Sequence, residues 1–198
     1  MPSIDLKDQY FGCEIEMTGL TRQQAAEAVA SLFGTNSVHS RSSRTYDPWE
    51  VTDNEGKTWR FVYDSSIHGS HRTGRQQVPI GDGDYKVEMN SPKLEYSEMG
   101  KLQEVVRTLR HAGAVVNGSC GMHVHVDASK HTPQSLKNAL LAGFDPLILK
   151  DSNDLARPID LSAIVINDLN LRFQFRPPLS RKCIAFLISE NVVVESAT

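Results

Sequence analysis

Three short segments of this chain alternate apolar side chains with acidic or imidazole ones at a period of two: residues 10–18, 85–90 and 121–127. Successive side chains of an extended strand leave opposite faces. Phe11, Cys13, Ile15 and Met17 therefore share one face of the first segment, and Gly12, Glu14, Glu16 and Thr18 the other. In the second, Tyr85, Val87 and Met89 oppose Lys86, Glu88 and Asn90; in the third, His123, His125 and Asp127 stand together. Strands of this kind are half-buried, so their apolar faces need a covering layer and their charged faces are left to water or to a ligand.

Helical patterns supply that layer. Thr21 caps a helix, Gln24 completes a capping box, Ala25, Val29, Leu32 and Phe33 form an apolar stripe, and Gly34 ends it. Residues 97–112 place Met99, Leu102, Val105, Val106 and Leu109 at helical spacing before a stop at Gly113. Thr132 and Pro133 open a third helix that runs to about Leu141. A further strand over 57–64 follows the turn Asp53-Asn54-Glu55-Gly56, while 35–47 and 68–84 read as polar loops, the latter a lid or a plain insertion. Strands over 164–166, 169–175 and 184–188 are interrupted by Pro177-Pro178. The class is α+β.

A length of 198 residues makes a single domain the default. The net charge of -3 gives no electrostatic footprint for nucleic acid, and no apolar run reaches the ~18 to 20 residues of a membrane span. The start, MPSIDLKDQYFG, lacks the features of a secretory signal, so a cytoplasmic location is expected, with neither nucleic acid nor membrane as partner. Cys13, Cys120 and Cys183 have no C-x-x-C spacing and read as buried thiols.

Any one of Glu14, Glu16, Glu88, His123 or His125 would pass for a solvated surface group. Repeated on three strands, beside Gly12 and Gly121, they look like a site. Three carboxylates with one or two imidazoles favour hard Mg2+ or Mn2+ over zinc. A metal-free alternative makes Glu16 or Glu88 a general base beside His123, at the cost of crowding three carboxylates.

The segments Phe11-Gly12-Cys13-Glu14-Ile15-Glu16, Val87-Glu88-Met89-Asn90-Ser91-Pro92 and Cys120-Gly121-Met122-His123-Val124-His125-Val126 resemble, in order, the signatures of the putative amidoligase family, related to glutamine synthetase and glutamate–cysteine ligase. Asn117-Gly118-Ser119-Cys120-Gly121-Met122-His123 is also similar to a segment of glutamine synthetase. The resemblance covers about residues 11–140, leaving 141–198 as a diverged tail of one domain spanning 1–198. It implies a curved, mainly antiparallel sheet with helices on one face, a glutamine-synthetase-like catalytic fold with a shortened C-terminal part. It further implies ATP-dependent joining of a carboxylate to an amine through an acyl phosphate at a two-metal site.

On that resemblance Glu14 and His123 serve the phosphate-side metal, Glu16 and Glu88 the substrate-side metal, and His125 faces the ATP phosphates. Glu16, Glu88 and His125 are the catalytic candidates. Relatives carry a late E-x-R segment; its nearest counterpart here, Gln174-Phe175-Arg176, has a neutral amide for the glutamate and offers Arg176 to phosphate. The alternatives are a degenerate member that holds metal or nucleotide without turnover and a metal-dependent hydrolase, although a hydrolase usually employs more imidazole. The carboxylate and amine substrates, small molecules or peptides, are left open, as is a homo-oligomer or partner protein that completes the site.

Overall fold

The computed structural model describes residues 6–40, 45–127, 129, 165–167 and 170–175. In chain order the elements are β1 (Tyr10–Met17), α1 (Arg22–Phe33), β2 (Ser37–His39), β3 (Trp49–Thr52), β4 (Thr58–Tyr63), β5 (Ser70–Thr73), β6 (Gln76–Pro79), β7 (Val87–Asn90), β8 (Leu94–Glu95), α2 (Met99–Ala112), β9 (Met122–Asp127), β10 (Val165–Asn167) and β11 (Asn170–Phe175). Nine strands form one sheet in the order β10-β11-β9-β1-β7-β4-β3-β2, with β8 beside the start of β1, while β5 and β6 make a separate hairpin. The strand pairings are antiparallel.

Alternation along the strands sorts the side chains as expected. Cys13 and Met17 of β1, Val51 of β3, Trp59 and Phe61 of β4, and Val87 and Met89 of β7 are buried in one core with Ala26 and Val29 of α1 and Leu102, Val105 and Leu109 of α2. Both helices thus cover the apolar face, and the face bearing Glu14, Glu16, Glu88 and His123 looks the other way. This is the expected α+β arrangement, an antiparallel sheet with helices on one side.

Local chemistry explains the joints. Thr21 accepts a hydrogen bond from the Gln24 amide at 3.2 Å and donates its own amide to Gln24 Oε1 at 2.9 Å, completing the capping box. Gly34 ends α1 at φ 67°, and Gly113 ends α2 at φ 117°, both in the left-handed region that glycine adopts without strain. Beside β1, Ser91 replaces a regular ladder residue: its Oγ accepts from the Cys13 amide and its own amide donates to the Cys13 carbonyl, both at 2.8 Å. That exchange lets the chain break β7 at Ser91-Pro92 and resume along β1 as β8. Asp53 ties the β3–β4 turn to α2, accepting the Glu55 and Lys57 amides at 2.9 Å and Lys101 Nζ at 3.2 Å.

Several expectations change. Leu32 does not belong to the buried stripe of α1: it is 38% exposed. The buried positions Arg22, Ala25, Ala26, Val29 and Ala30 centre about a quarter turn away from it, at ~100° per residue. The expected loop over 35–47 contains the edge strand β2, whose Val38 is exposed, so hydrogen bonding to β3 rather than burial defines it. The expected loop over 68–84 contains the β5–β6 hairpin, pinned where the Thr18 hydroxyl and the Ser70 backbone exchange hydrogen bonds of 2.9 and 2.7 Å. The strands expected over 164–166 and 169–175 correspond to β10 and β11, at Val165–Asn167 and Asn170–Phe175, with 164 and 169 outside the described residues. The helix expected over 132–141 and the strand over 184–188 lie outside the described residues. Among the described residues, no helix is long and apolar enough to cross a membrane.

Leu102→Ala empties a fully buried position and is expected to cost about 2–5 kcal/mol in urea unfolding. Leu32→Ala, at an exposed position, should stay within about 0.5 kcal/mol of the wild type. Equal losses at the two positions would contradict this placement of α1 and α2.

Candidate functional site

Strand register assembles the charged face. Glu16 of β1 stands directly opposite Glu88 of β7, and Glu14 stands between Asn90 on β7 and His123 on β9. His125 lies opposite Gly12, where an added Cβ would come no nearer than 3.7 Å to another heavy atom. The glycine therefore leaves space beside the imidazole but is not forced by a close backbone approach. On the far side of β9, Gln174 of β11 takes the register position opposite His123.

Charge is concentrated here and partly withdrawn from water. His123 is 5% exposed and Glu16 6%. Glu14 spans both histidines, with Oε2 at 2.7 Å from His123 Nδ1 and Oε1 at 3.1 Å from His125 Nε2. The second contact is at ion-pairing distance, but it lacks the alignment of a hydrogen bond. Glu16 Oε2 accepts the Gly121 amide at 2.7 Å, and Glu16 Oε1 lies 4.0 Å from His123 Nε2. Burial raises the Glu16 carboxyl above its ordinary range, against the Gly121 hydrogen bond, which lowers it. Glu88 is pushed up to about 7, first by burial, then by the neighbouring charges of Glu14 and Asp64, with a hydrogen bond from Asn90 pulling it partly back.

Two groups of side chains have the spacing to hold a cation. Ligand atoms of Glu14, Glu88 and His123 lie within 4.8 Å of one another, as do those of Glu16, Asp64 and Glu88. Glu88 belongs to both. The structure brings Glu14 together with His123 and Glu16 together with Glu88, and it adds Asp64, which the sequence reading left in the strand over 57–64 without a role. The signal was available: Arg60, Val62 and Asp64 alternate with Trp59, Phe61 and Tyr63, so Asp64 continues the Glu88 side of the sheet. His125 sits at the rim of the cluster. Asp127, farther along β9, pairs with Lys93 Nζ at 3.2 Å and stays apart from it. Arg176 lies outside the described residues.

Among the described residues, the cysteines Cys13 and Cys120 take no part. Cys13 faces the core and its thiol is pushed up to about 12 by burial; burial likewise raises Cys120. Both are buried free thiols, protonated and inert at neutral pH. Cys183 lies outside the described residues.

A family model described as "Putative amidoligase enzyme" matches residues 7–144, more than two thirds of the chain. The chain belongs to that family. Comparison with curated proteins and with solved structures gives no match.

The Glu88 shift makes stability depend on pH. A carboxyl whose folded value lies above its ordinary 4.5, here at about 7, holds its proton more tightly in the native state than in the unfolded chain. Its penalty is absent below about pH 4.5 and grows until about pH 7, so stability falls as pH rises through that window. In chelator, Glu88→Gln should flatten this decline, as followed by urea unfolding at several pH values. An unchanged slope in the variant would contradict the assignment.

Proposed function

We propose that this member of the amidoligase family is an ATP-dependent carboxylate–amine ligase that forms an amide or peptide bond at a site holding two divalent cations, Mg2+ or Mn2+. The observation that carries this reading is the pair of three-ligand groups joined through Glu88 on one sheet face. Four carboxyl groups this close repel one another unless protons or cations intervene, and an oxygen-rich set with one imidazole suits hard cations. Glu14, Glu88 and His123 would hold one cation; Glu16, Asp64 and Glu88 would hold the other.

Bound there, such cations would supply neutralisation of phosphate charge. The rest falls to the chain. Glu16 is oriented by the Gly121 amide, and His123 is held by Glu14, so both present fixed donor atoms. His125 stands at the edge where nucleotide phosphates would lie. In the reaction, a carboxylate oxygen of the acid attacks the γ-phosphorus and ADP leaves. The amine nitrogen then attacks the acyl carbon, phosphate departs, and the surplus amine proton passes to a base. A screen of ATP consumption over paired acids and amines tests this. ADP and a condensed product should form only when both partners are present, and their absence across the panel, or ADP formation indifferent to the acid, would reject it.

One observation favours a second reading, in which metal and nucleotide bind without turnover. Gln174 occupies the register position opposite His123, where the family resemblance leads one to expect a glutamate. A neutral amide there leaves the cluster one negative charge short.

Gln174→Glu should therefore tighten Mn2+ binding by ~10 to 100-fold, the scale on which changes around other metal sites act. Calorimetric titration of Mn2+ into the two proteins measures this, and superimposable isotherms would remove position 174 from the site.

A further inference from the structure

The turn Asn117-Gly118-Ser119-Cys120, which leads into β9, closes a ring of hydrogen bonds with the chain beyond β4. The Ser119 amide donates to Asn117 Oδ1 at 2.9 Å, and because an N–H only donates, this contact fixes which way the Asn117 amide faces. Nδ2 then donates to the His68 carbonyl at 2.7 Å. The Ser119 hydroxyl accepts the His68 amide at 2.8 Å and donates to Asn117 Oδ1 at 2.6 Å. Both backbone polar groups of His68 are thus held by side chains 49 and 51 positions away in the chain.

Each side of the ring leads to a carboxylate of one candidate cation group. On one side, Ile67 is fully buried and its amide meets the Asp64 carbonyl at 3.4 Å, while Asp64 Oδ1 accepts the Ser66 amide at 2.7 Å. Residues 64–68 therefore form a compact turn that begins at Asp64 and ends in the ring. On the other side, the Cys120 amide donates to the Asn117 carbonyl at 3.1 Å. The next residue, Gly121, donates its amide to Glu16 Oε2 at 2.7 Å and accepts the Glu16 amide at 3.0 Å. Asp64 and Glu16 are two of the three members of the group that Glu88 completes. Ladder pairing between β4 and β7 ends at Tyr63 and Val87, so the sheet does not set the place of Asp64. Repulsion from Glu16 and Glu88 drives Asp64 outward, and the ring opposes that movement.

We propose that Asn117 and Ser119 are positioning residues for the cation held by Glu16, Asp64 and Glu88: they touch neither cation nor substrate, and they join the turn that carries Asp64 to the glycine that orients Glu16. This rests on the two-cation reading and assigns the 117–120 turn to one of the two cations. The Glu14–His123 group has no link to the ring through these bonds, so the two cations should respond differently when it is broken.

The test is calorimetric titration of Mn2+ into the full chain, with amide hydrogen exchange of the same proteins in chelator. The wild type should bind two ions. Ser119→Ala should weaken one of them by ~10-fold or more, the scale on which residues that orient ligands act, and leave the other within about twofold. Ser119→Thr, which keeps the hydroxyl, should restore it. In chelator, the Ser66 and Gly121 amides of Ser119→Ala should exchange faster while those of β4 do not, the mark of a local rather than a global opening. Asn117→Ala should act in the same direction and further; if it fails to fold, the two Ser119 variants decide. Two ions bound by Ser119→Ala as tightly as by the wild type, or both weakened alike with β4 amides exchanging faster, would overturn the proposal and leave the ligase reading standing. Fewer than two ions on the wild type would overturn the two-cation reading, and the proposal with it.

Discussion

Repulsion among the carboxylates of Glu14, Glu16, Asp64 and Glu88 is the constraint around which this face is organised. The backbone cannot relieve it. Glu16 is locked opposite Glu88, and Glu14 opposite His123, by a ladder whose other face is buried under α1 and α2. A slip of one residue would carry every charge into that core. Relief must come from side-chain protonation, as in the rise of Glu88 to about 7, from the imidazoles around Glu14, or from a cation. The hydrophobic layer thus does more than stabilise the fold: it holds together charges that would otherwise separate.

How legible this was depended on whether an element advertised itself through burial. β1, β7 and β9 were readable because one side of each packs on helices, so apolar and charged residues alternate in the sequence. The termini of α1 and α2 were readable because Thr21, Gln24, Gly34 and Gly113 have local reasons to be there. β2 and the β5–β6 hairpin were not, since their residues are largely exposed and their order comes from backbone pairing and the Thr18–Ser70 anchor. Leu32 misled because hydrophobicity alone does not fix the centre of a helix's buried stripe. Asp64 was missed because it follows β4 by one residue and its role depends on a neighbour, Glu88, more than twenty positions away in the chain.

Family membership and geometry contribute differently. The family match covers the segment bearing Glu14, Glu16, Asp64, Glu88, His123 and His125, and it points to ligase chemistry. Geometry adds that Glu88 is common to both candidate cation groups and that Asp64 joins one of them. It also sets Gln174 in register opposite His123, beside the cluster rather than at a distant surface. Substituting Glu88 would alter both candidate groups at once, whereas Asp64 belongs to only one.

That sharing can be measured directly. Titration of the metal-free protein with Mn2+, followed by electron paramagnetic resonance, should give two ions per chain with the magnetic coupling expected of a carboxylate-bridged pair, and Glu88→Gln should abolish the coupling. Saturation at one uncoupled ion per chain, or no saturable binding, would contradict a two-cation site built on Glu88.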